Sequence, residues 1–377
     1  MNKMVTQTHI CDERNGLEPA ALVDLFQEFP PERFVAWHNN TGTPGFTAPF
    51  NLLTTVPELR QRIAGWLGGK RLERWLTWNT AFLGSTLSEF ARIPAQVSAS
   101  ELATLFAQSE GQRHTMAIIK DIPDDCPLLS EQENQWSQRL LQACVDQRYA
   151  IVDGLALAYV PIDFTCEDDY LQRMSKSRRK NIKRKLKSRE EVDIVHKASG
   201  DACFQCPELV DEYYAMYLAV YERSDLHFDR LTRPFFEALL TRKIPGSLIV
   251  EYRHQGVLAA FNICFMHGGN LIDKYVGFKY PLARELNLYF VSWMVNLDIA
   301  LSTGCKYFIA GCACPEIKAT LGARFSMTRH AVYSRHAVLR TFLRSFGGAF
   351  EMDREWHDKP RDIPRRSPAG LDVIHPY

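Results

Sequence analysis

Apolar residues recur along this chain with two different periods, and the period predicts which segments form helices and which form strands. Helical spacing is present in "EPAALVDLFQEF" and "VPELRQRIAGWL", whereas "LERWLTWNTAFL" and "HTMAIIKDIP" have the composition of strands. Ser130 followed by Glu133 is the signature of a capping box, which predicts that a helix begins there. "YAIVDGLALAYVPI" predicts one or two further strands. The first part of the chain therefore mixes helices and strands.

The second part of the chain has a clearer order of elements. Two helices, "CPELVDEYYAMYLAVYERSD" and "LTRPFFEALLTRK", precede three strands joined by glycine-containing hairpin turns, "GSLIVEYRH", "GVLAAFNICFMH" and "NLIDKYVGFK". A long helix, "ARELNLYFVSWMVNLDIALSTG", follows and ends at Gly304. The strand "CKYFIAG", a short helix "CPEIKATLG" and the strand "SMTRHAVYS" complete the pattern. This order predicts an α+β fold.

Length and composition place the chain among ordinary globular proteins. Its 377 residues are enough for two domains, and 46% are hydrophobic while 24% are charged. The first residues lack the apolar run of a signal peptide, and no stretch approaches the roughly 18 apolar residues of a membrane span. We therefore expect a cytoplasmic protein without a membrane span.

The segment "SKSRRKNIKRKLKSRE", from Ser175 to Glu190, carries most of the unusual charge. Ten of the 17 residues from Arg173 to Arg189 are Lys or Arg, which leaves 35 basic against 44 acidic residues elsewhere, a net charge of −9. With acidic residues at its start, the region predicts one helix from about Cys166 to Lys187, oriented as the helix dipole favours. Ten cations nevertheless exceed what the dipole requires, because like charges four residues apart repel.

Ten cysteines raise the question of a disulfide or metal site. Two pairs are close in sequence, Cys203 with Cys206 and Cys312 with Cys314. A structural zinc site would need two matched pairs or a nearby pair of histidines, and the second pair has only one intervening residue. We therefore expect reduced thiols and no metal site.

Two stretches resemble a known family. "YLQRMSKSRRKNIKRKLK" is similar to the segment that follows the first domain of the Fem-like acyltransferases, and "LIDKYVGFKYPLARELNLYFVSWMVNLDIALSTGCKYFIAGCACPEIKATLGAR" is similar to their second-domain core. This family contains doubled GNAT-fold proteins, among them peptidoglycan-bridge aminoacyltransferases and CelD-like acetyltransferase domains. The resemblance implies two GNAT-like (acyl-CoA N-acyltransferase) domains, each a mixed, mostly antiparallel sheet flanked by helices.

The resemblance also implies a division of the chain and a chemistry. The expected parts are a degenerate GNAT-like domain (1–165), a basic connecting helix (166–190), a GNAT-like acyltransferase domain (191–340) and an irregular tail (341–377). The implied activity is N-acyl transfer, in which an acceptor amine directly attacks an acyl or aminoacyl group. No cofactor is permanently bound, and the co-substrate is acyl-CoA or aminoacyl-tRNA.

The loop that would meet the donor's phosphates departs from the GNAT pattern. CoA-dependent members have glycines before the helix, which let backbone amides approach the pyrophosphate, whereas the corresponding "YPLARELN" has none. This departure is compatible with aminoacyl-tRNA as donor. The residues expected to contact a donor phosphate are Arg284, Glu285, Leu286 and Asn287.

Three residues are the candidates for the chemistry. Lys318 corresponds to a lysine near the end of the family's second domain, where a cation would stabilise the oxyanion or hold a donor phosphate. Asp273 and Tyr275 share one face of a predicted strand by period two. Asp273 would accept the amine's proton or bind a cationic acceptor, and Tyr275 would protonate the leaving group. His267 and His330 are further possible bases. Each of these residues also has a purely structural interpretation.

The basic segment has three interpretations: it binds phosphates of a donor such as tRNA, it contacts anionic lipid, or it is a charged linker. The family resemblance favours the first and third together. The phosphate-binding candidates are Arg178, Arg179, Lys180, Lys183 and Arg184. The expected partners are an acyl donor and an amine of unknown identity. A rival hypothesis is a non-catalytic nucleic-acid-binding protein that uses residues 173–189, although no known nucleic-acid motif surrounds them.

Overall fold

A single 12-stranded sheet organises the protein in the computed structural model, which describes residues 13–51, 77–224 and 228–346. The elements of the first half are β1 (Glu13–Arg14), α1 (Ala20–Glu28), β2 (Val35–His38), β3 (Pro44–Asn51), β4 (Thr77–Leu83), β5 (Ile93–Pro94), α2 (Ala99–Gln108), α3 (Glu110–Arg113), β6 (Ala117–Asp124), α4 (Glu131–Asp146), β7 (Ala150–Asp153) and β8 (Leu157–Pro161).

The remaining elements begin with the basic segment. They are α5 (Glu167–Gln172), α6 (Lys176–Lys185), β9 (Asp193–Lys197), α7 (Pro207–Tyr221), α8 (Arg233–Thr241), β10 (Ser247–His254), β11 (Val257–His267), β12 (Asn270–Phe278), α9 (Leu282–Glu285), α10 (Leu288–Ser302), β13 (Tyr307–Gly311), α11 (Pro315–Thr320), β14 (Arg324–Tyr333) and α12 (Ala337–Phe346). Two short 3-10 helices, Leu186–Glu191 and Ala202–Gln205, also lie in the described residues.

The strand order shows the same arrangement twice. In the first half, β2, β3 and β4 are antiparallel neighbours, and β4 then pairs in parallel with β6. In the second half, β9, β10, β11 and β12 are antiparallel neighbours, and β12 pairs in parallel with β13. In both halves helices lie between the two parallel strands in the chain, because a parallel connection needs a crossover. The fold is therefore α+β with two GNAT-like halves, as predicted.

The two halves exchange strands where they meet. β8, from the predicted domain 1–165, pairs with β13 of the second half, and β14, from the predicted domain 191–340, pairs with β6 and β7 of the first half. β8 and β14 also pair with each other. One apolar core runs across this junction and includes Phe46 and Phe82 from the first half and Tyr213 and Phe261 from the second. The division into two domains stays a prediction, but the two halves share one sheet and one core.

Several predicted elements differ from the structure. The prediction of one basic helix from about Cys166 to Lys187 is wrong. The chain leaves the helix at residues 173–175, because Ser175 is extended and its side chain accepts the Arg178 N–H to begin α6. The long helix of the second half is also interrupted, because Asn287 is left-handed with φ 51°. The tail is not irregular at its start, since α12 buries Leu343 in the core and extends to Phe346. The predicted helix "VPELRQRIAGWL" and residues 347–377 lie outside the described residues.

Other predicted details are confirmed. Ser130 and Glu133 form the capping box of α4, in which Ser130 Oγ accepts the Glu133 N–H at 3.3 Å and Glu133 Oε2 accepts the Ser130 N–H at 2.9 Å. "YAIVDGLALAYVPI" forms two strands, and Gly304 follows α10 with φ 69°. Because α4 covers one face of the first-half sheet through Trp136 and Leu140, its first turn supports that packing.

We predict that Ser130→Ala lowers the free energy of unfolding by about 1 kcal/mol, because the Glu133 amide at the start of α4 loses its hydrogen-bond acceptor. Urea denaturation of both proteins measures the change. Gln142→Ala, at an exposed position of the same helix, is the control and should change stability by less than about 0.5 kcal/mol. Equal effects of the two substitutions would show that the capping box does not hold α4.

Candidate active site

A cavity of about 850 Å³ lies between the two halves, and it begins where the parallel strands β12 and β13 separate. These strands pair only from Asn270 to Ile272 opposite Tyr307 to Ile309. Beyond this point residues of both strands line the cavity, among them Asp273 and Ala310. The first half repeats the geometry, because β4 and β6 pair in parallel over only three residues each and Lys120, which follows that pairing on β6, also lines the cavity.

A bulge in β12 places three consecutive residues on the cavity wall. The register between β11 and β12 shifts so that Ile263 is opposite Tyr275 and Cys264 is opposite Asp273, which leaves Lys274 as the extra residue. Asp273, Lys274 and Tyr275 all line the cavity. Asp273 and Tyr275, which the sequence pattern predicted to share one face of this strand, therefore both line the cavity because of a bulge and not because of simple alternation.

Asp273 is a partly buried carboxylate held by amides. Asn262 Nδ2 donates to its Oδ2 at 2.9 Å and Asn296 Nδ2 donates to the same oxygen at 3.2 Å. Withdrawal from water raises the pKa of Asp273 to about 6, against the lowering effect of the Asn262 hydrogen bond and the Lys318 charge. A carboxylate with this pKa can accept and release a proton near neutral pH.

Lys318 extends from α11 to the point where the strands separate. Its side chain is buried, and its ammonium donates to the carbonyl oxygen of Ala310 and, at 3.1 Å, to that of Gly311. Burial lowers its pKa, while neighbouring thiols and carboxyls, including Asp273, act in the opposite direction. An ammonium group has three N–H donors. With two of them bound to carbonyls, one is left for a group inside the cavity.

Tyr275 contributes a buried hydroxyl group to the cavity. Its Oη is buried and, among the described residues, makes no hydrogen bond. Burial raises the pKa of Tyr275, so the phenol keeps its proton and is a donor at neutral pH. The rings of Phe235 and Phe236, at 6.1 and 5.9 Å between centroids, fix the side chain.

Three buried charges beside these residues were missed from the sequence. Lys274 Nζ lies 2.6 Å from Glu89 Oε1 and 3.2 Å from Glu18 Oε1, and the three side chains are at most 7% exposed. Burial opposes charge on Lys274, but the two carboxylates outweigh it and raise its pKa. Glu89 and Glu18 are 185 and 256 residues from Lys274 in sequence, so no local pattern connects them.

The two histidines occupy different places. His330 lines the cavity, and its Nδ1 accepts the Asp121 N–H at 3.0 Å, while burial lowers its pKa. The ring is therefore neutral, with Nε2 carrying the proton. His267 lies at the end of β11 and is not among the residues that line the cavity. In the described part of the chain, no group of three or more His, Cys, Asp or Glu side chains could hold a metal ion.

The turn predicted to bind a donor phosphate has its amides already engaged. The N–H groups of Arg284 and Glu285 donate to Pro281 O, that of Leu286 to Leu282 O, and that of Asn287 to Arg284 O. None of these four residues lines the cavity, and Leu286 is buried in the core. The expected approach of free amides to a phosphate is therefore wrong for this turn, although the Arg284 side chain is exposed.

The basic segment packs against this same turn. Ser188 donates to the carbonyl oxygen of Leu286, and Lys185 Nζ lies 3.5 Å from the centroid of the Phe290 ring at the start of α10. The structure thus brings together two regions that the sequence places about 100 residues apart. They form one surface outside the cavity.

The basic side chains differ in their surroundings. Lys183 pairs with Asp168 at 2.6 Å, and Arg184 donates to Asn181 Oδ1 at 3.0 Å. Arg178, Arg179 and Lys180 form no ion pair with any described residue. Part of the charge is therefore neutralised by nearby polar groups, whereas at the start of α6 Arg178 and Arg179 are half-buried and Lys180 is exposed.

Solved structures of other proteins share this fold. The fold is shared with the C-terminal domain (DUF2156) of a candidate lysylphosphatidylglycerol synthetase from Agrobacterium fabrum, at a TM-score of 0.50 and 11% identity over 86% of this chain and 95% of that one. L-PGS from Bacillus licheniformis shares it as well, with a TM-score of 0.51 and 9% identity over 88% of this chain and 97% of that one. FemX has a TM-score of 0.48 at 8% identity, over 86% and 98%. A search of curated proteins found no match.

The sequence itself identifies the family. The model of the FemAB_like family, described as peptidoglycan biosynthesis/recognition, matches residues 108–359, which is more than half of the chain. The chain therefore belongs to the FemAB-like family, as its resemblance implied. No helix in the described ranges has both the length and the apolar character needed to cross a membrane.

We predict that the stability difference between the wild type and Asp273→Asn depends on pH. The folded pKa of about 6 lies above the ordinary 3.8, so the folded state binds more protons between these values and loses stability as pH rises through them. From pH 4 to 7.5 the free energy of unfolding of the wild type should fall by about 2.4 kcal/mol relative to the variant, at no more than about 1.4 kcal/mol per pH unit.

Urea denaturation at several pH values measures this difference. Asp24→Asn, at an exposed position on α1, is the control and should follow the wild type. A difference between the wild type and Asp273→Asn that stays constant over this pH range would contradict the raised pKa of Asp273.

Proposed function

We propose that the cavity catalyses transfer of an activated acyl or aminoacyl group to an acceptor amine. The observation that carries this proposal is the pairing, in one cavity, of a carboxylate whose pKa is near 6 with a buried ammonium that has one N–H left. Such a pair supplies a base for the amine and a donor for the carbonyl oxygen. Family membership supports this reaction class, since FemAB-like proteins are described by peptidoglycan biosynthesis.

In the proposed mechanism the chain's own residues move protons and stabilise charge. The nitrogen of the acceptor amine attacks the acyl carbon, and Asp273 accepts the proton that this nitrogen loses as the new bond forms. The carbonyl oxygen becomes negatively charged and receives a hydrogen bond from Lys318. When the bond to the leaving group breaks, Tyr275 donates the proton that the departing thiolate or alkoxide requires. Tyr275 then takes a proton from water and Asp273 releases its proton to water, which restores both groups. No covalent enzyme intermediate is needed.

The contacts of the 284–287 turn favour aminoacyl-tRNA over CoA as the donor. A CoA pyrophosphate would need free backbone amides, and these amides are bonded within the turn. The C-terminal end of α6 packs beside this turn, and further cations lie at the start of the same helix. Arrays of Lys and Arg hold a nucleic-acid backbone without reading its sequence. We therefore propose that the donor's phosphates lie along α6 while its acyl end enters the cavity.

We predict that Lys318→Met lowers kcat by about 10²- to 10³-fold, because the oxyanion loses its hydrogen-bond donor. Release of radiolabelled amino acid from a mixture of aminoacyl-tRNAs, in the presence of a panel of amines, measures turnover. Lys243→Met, at an exposed position, is the matched control and should keep wild-type activity. Full activity of a folded Lys318→Met protein would remove Lys318 from the mechanism.

We predict that Arg179→Gln/Lys180→Gln weakens tRNA binding and makes it less dependent on salt. Two lost phosphate contacts should reduce the slope of log affinity against log salt by about 2. Fluorescence anisotropy with labelled tRNA measures both quantities. Arg139→Gln/Lys243→Gln removes the same charge elsewhere and should leave the slope unchanged.

Two other results would change the assignment. Tight binding of coenzyme A, with no effect of the double substitution on tRNA, would identify CoA as the donor carrier. Binding of tRNA without turnover of any aminoacyl group would support the rival hypothesis of a nucleic-acid-binding protein.

A further inference from the structure

The cavity continues from the charged residues into an apolar compartment that the proposed reaction does not use. We define the apolar compartment by six lining side chains, Phe50, Phe82, Ile118, Val152, Val332 and Leu343. Each belongs to a different element of the first half or to a strand or helix that packs on it. Asp273 and Lys318 line the same cavity, so the charged part and the compartment are continuous.

The compartment is apolar because it lies on one face of the first-half sheet. Phe82, Ile118, Val152 and Val332 lie on neighbouring strands and belong to one core cluster. Their chain neighbours, Ala81, Ile119, Ile151 and Ala331 among them, point to the opposite face, which α2 and α4 cover. The first face is covered only in part, and the cavity occupies the remaining space.

Aromatic side chains close the compartment from the other side. The Phe228 ring lies 5.6 Å from that of Phe82 and 5.9 Å from that of Phe50, measured between centroids. Phe34 and Phe228 also line the cavity, and their rings are 5.1 Å apart. The compartment is therefore bounded by hydrocarbon on two sides.

An apolar compartment of this kind selects its occupant by chemistry. Water gains few hydrogen bonds in such a space, whereas an apolar group gains contacts and leaves water. A nucleobase would need donors and acceptors for its polar edges. The six defining side chains have none, and the polar groups of the same strands that line the cavity, such as Lys120 and His330, lie outside the compartment as defined. A hydrocarbon chain needs no polar partner along its length.

We infer that the substrate entering the apolar compartment carries a hydrocarbon chain, with its polar end beside Asp273 and Lys318. This inference rests on the proposed function for the identity of the polar end, since an amine or an acyl carbonyl would stand there. The chain can come from the acceptor, as an alkyl amine, or from the donor, as a fatty acyl group.

Calorimetric titration with two probe series tests the inference without requiring turnover. Hexylamine, octylamine and decylamine represent an acceptor, and hexanoate, octanoate and decanoate represent an acyl group. Affinity should rise about fourfold for each added methylene group, as expected for burial of hydrocarbon. The series that binds more tightly identifies which substrate carries the chain.

Substitutions that fill the compartment give the second part of the test. Val152→Phe and Leu343→Phe change different elements, and each should weaken the binding of the ten-carbon probe at least tenfold while changing the six-carbon probe much less. Val145→Phe makes the same change at a position that is 48% exposed on α4, and it should leave both affinities unchanged. Circular dichroism confirms that each variant is folded.

Three results would overturn the inference: affinity that does not increase with chain length, equal weakening of the short and long probes in folded Val152→Phe and Leu343→Phe, or AMP competing with decylamine and losing affinity in Val152→Phe. The last would assign the compartment to a nucleobase. Chain-length-dependent binding without any acyl transfer would instead refute the proposed reaction and leave the compartment assigned. Transfer activity without binding of either series would refute the assignment of the compartment and leave the proposed reaction in place.

Discussion

The separation of β12 from β13 is the constraint on which the rest of this structure depends. These two parallel strands pair over only three residues, so beyond Ile272 and Ile309 their backbone N–H and C=O groups no longer bond across the gap. Because the gap is buried, other groups must take the place of those hydrogen bonds. Lys318 fills this role by donating to two carbonyls of the diverging strand, and the bulge at Lys274 turns three side chains of β12 toward the opening. The features that make the centre of the sheet polar therefore also make it reactive.

The buried charges show how the first half completes the centre of the second. Lys274 would be costly to bury alone, and its two carboxylate partners come from the N-terminal part of the chain. Loss of both partners would leave Lys274 as an uncompensated buried charge, so the position of β12 is coupled to the packing of the first half. The first half thus supplies Glu18 and Glu89, which hold the strand of the second half that carries Asp273 and Tyr275.

The exchange of β8 and β14 explains why the cavity can be both large and well defined. Each half donates a strand to the sheet of the other, and one core crosses the junction, so the walls are not two bodies that meet at a simple interface. Charged groups face the cavity where the parallel pairs end, and apolar side chains face it along the first-half sheet. The same space thus offers a site for chemistry and a site for hydrocarbon.

Periodicity and family motifs in the sequence alone determined the α+β class, the order of the second-half elements, the capping box and the choice of Asp273, Tyr275 and Lys318, because these features depend on neighbours in the chain. The break at Ser175 was missed because one hydroxyl that accepts an amide outweighed a continuous run of helix-forming residues. Only the tertiary structure decided the partners of Lys274, the packing of the basic segment on the 284–287 turn and the apolar compartment. Each of these joins residues more than 90 positions apart, and burial, hydrogen bonding and ion pairing between such residues arise only when the chain is folded.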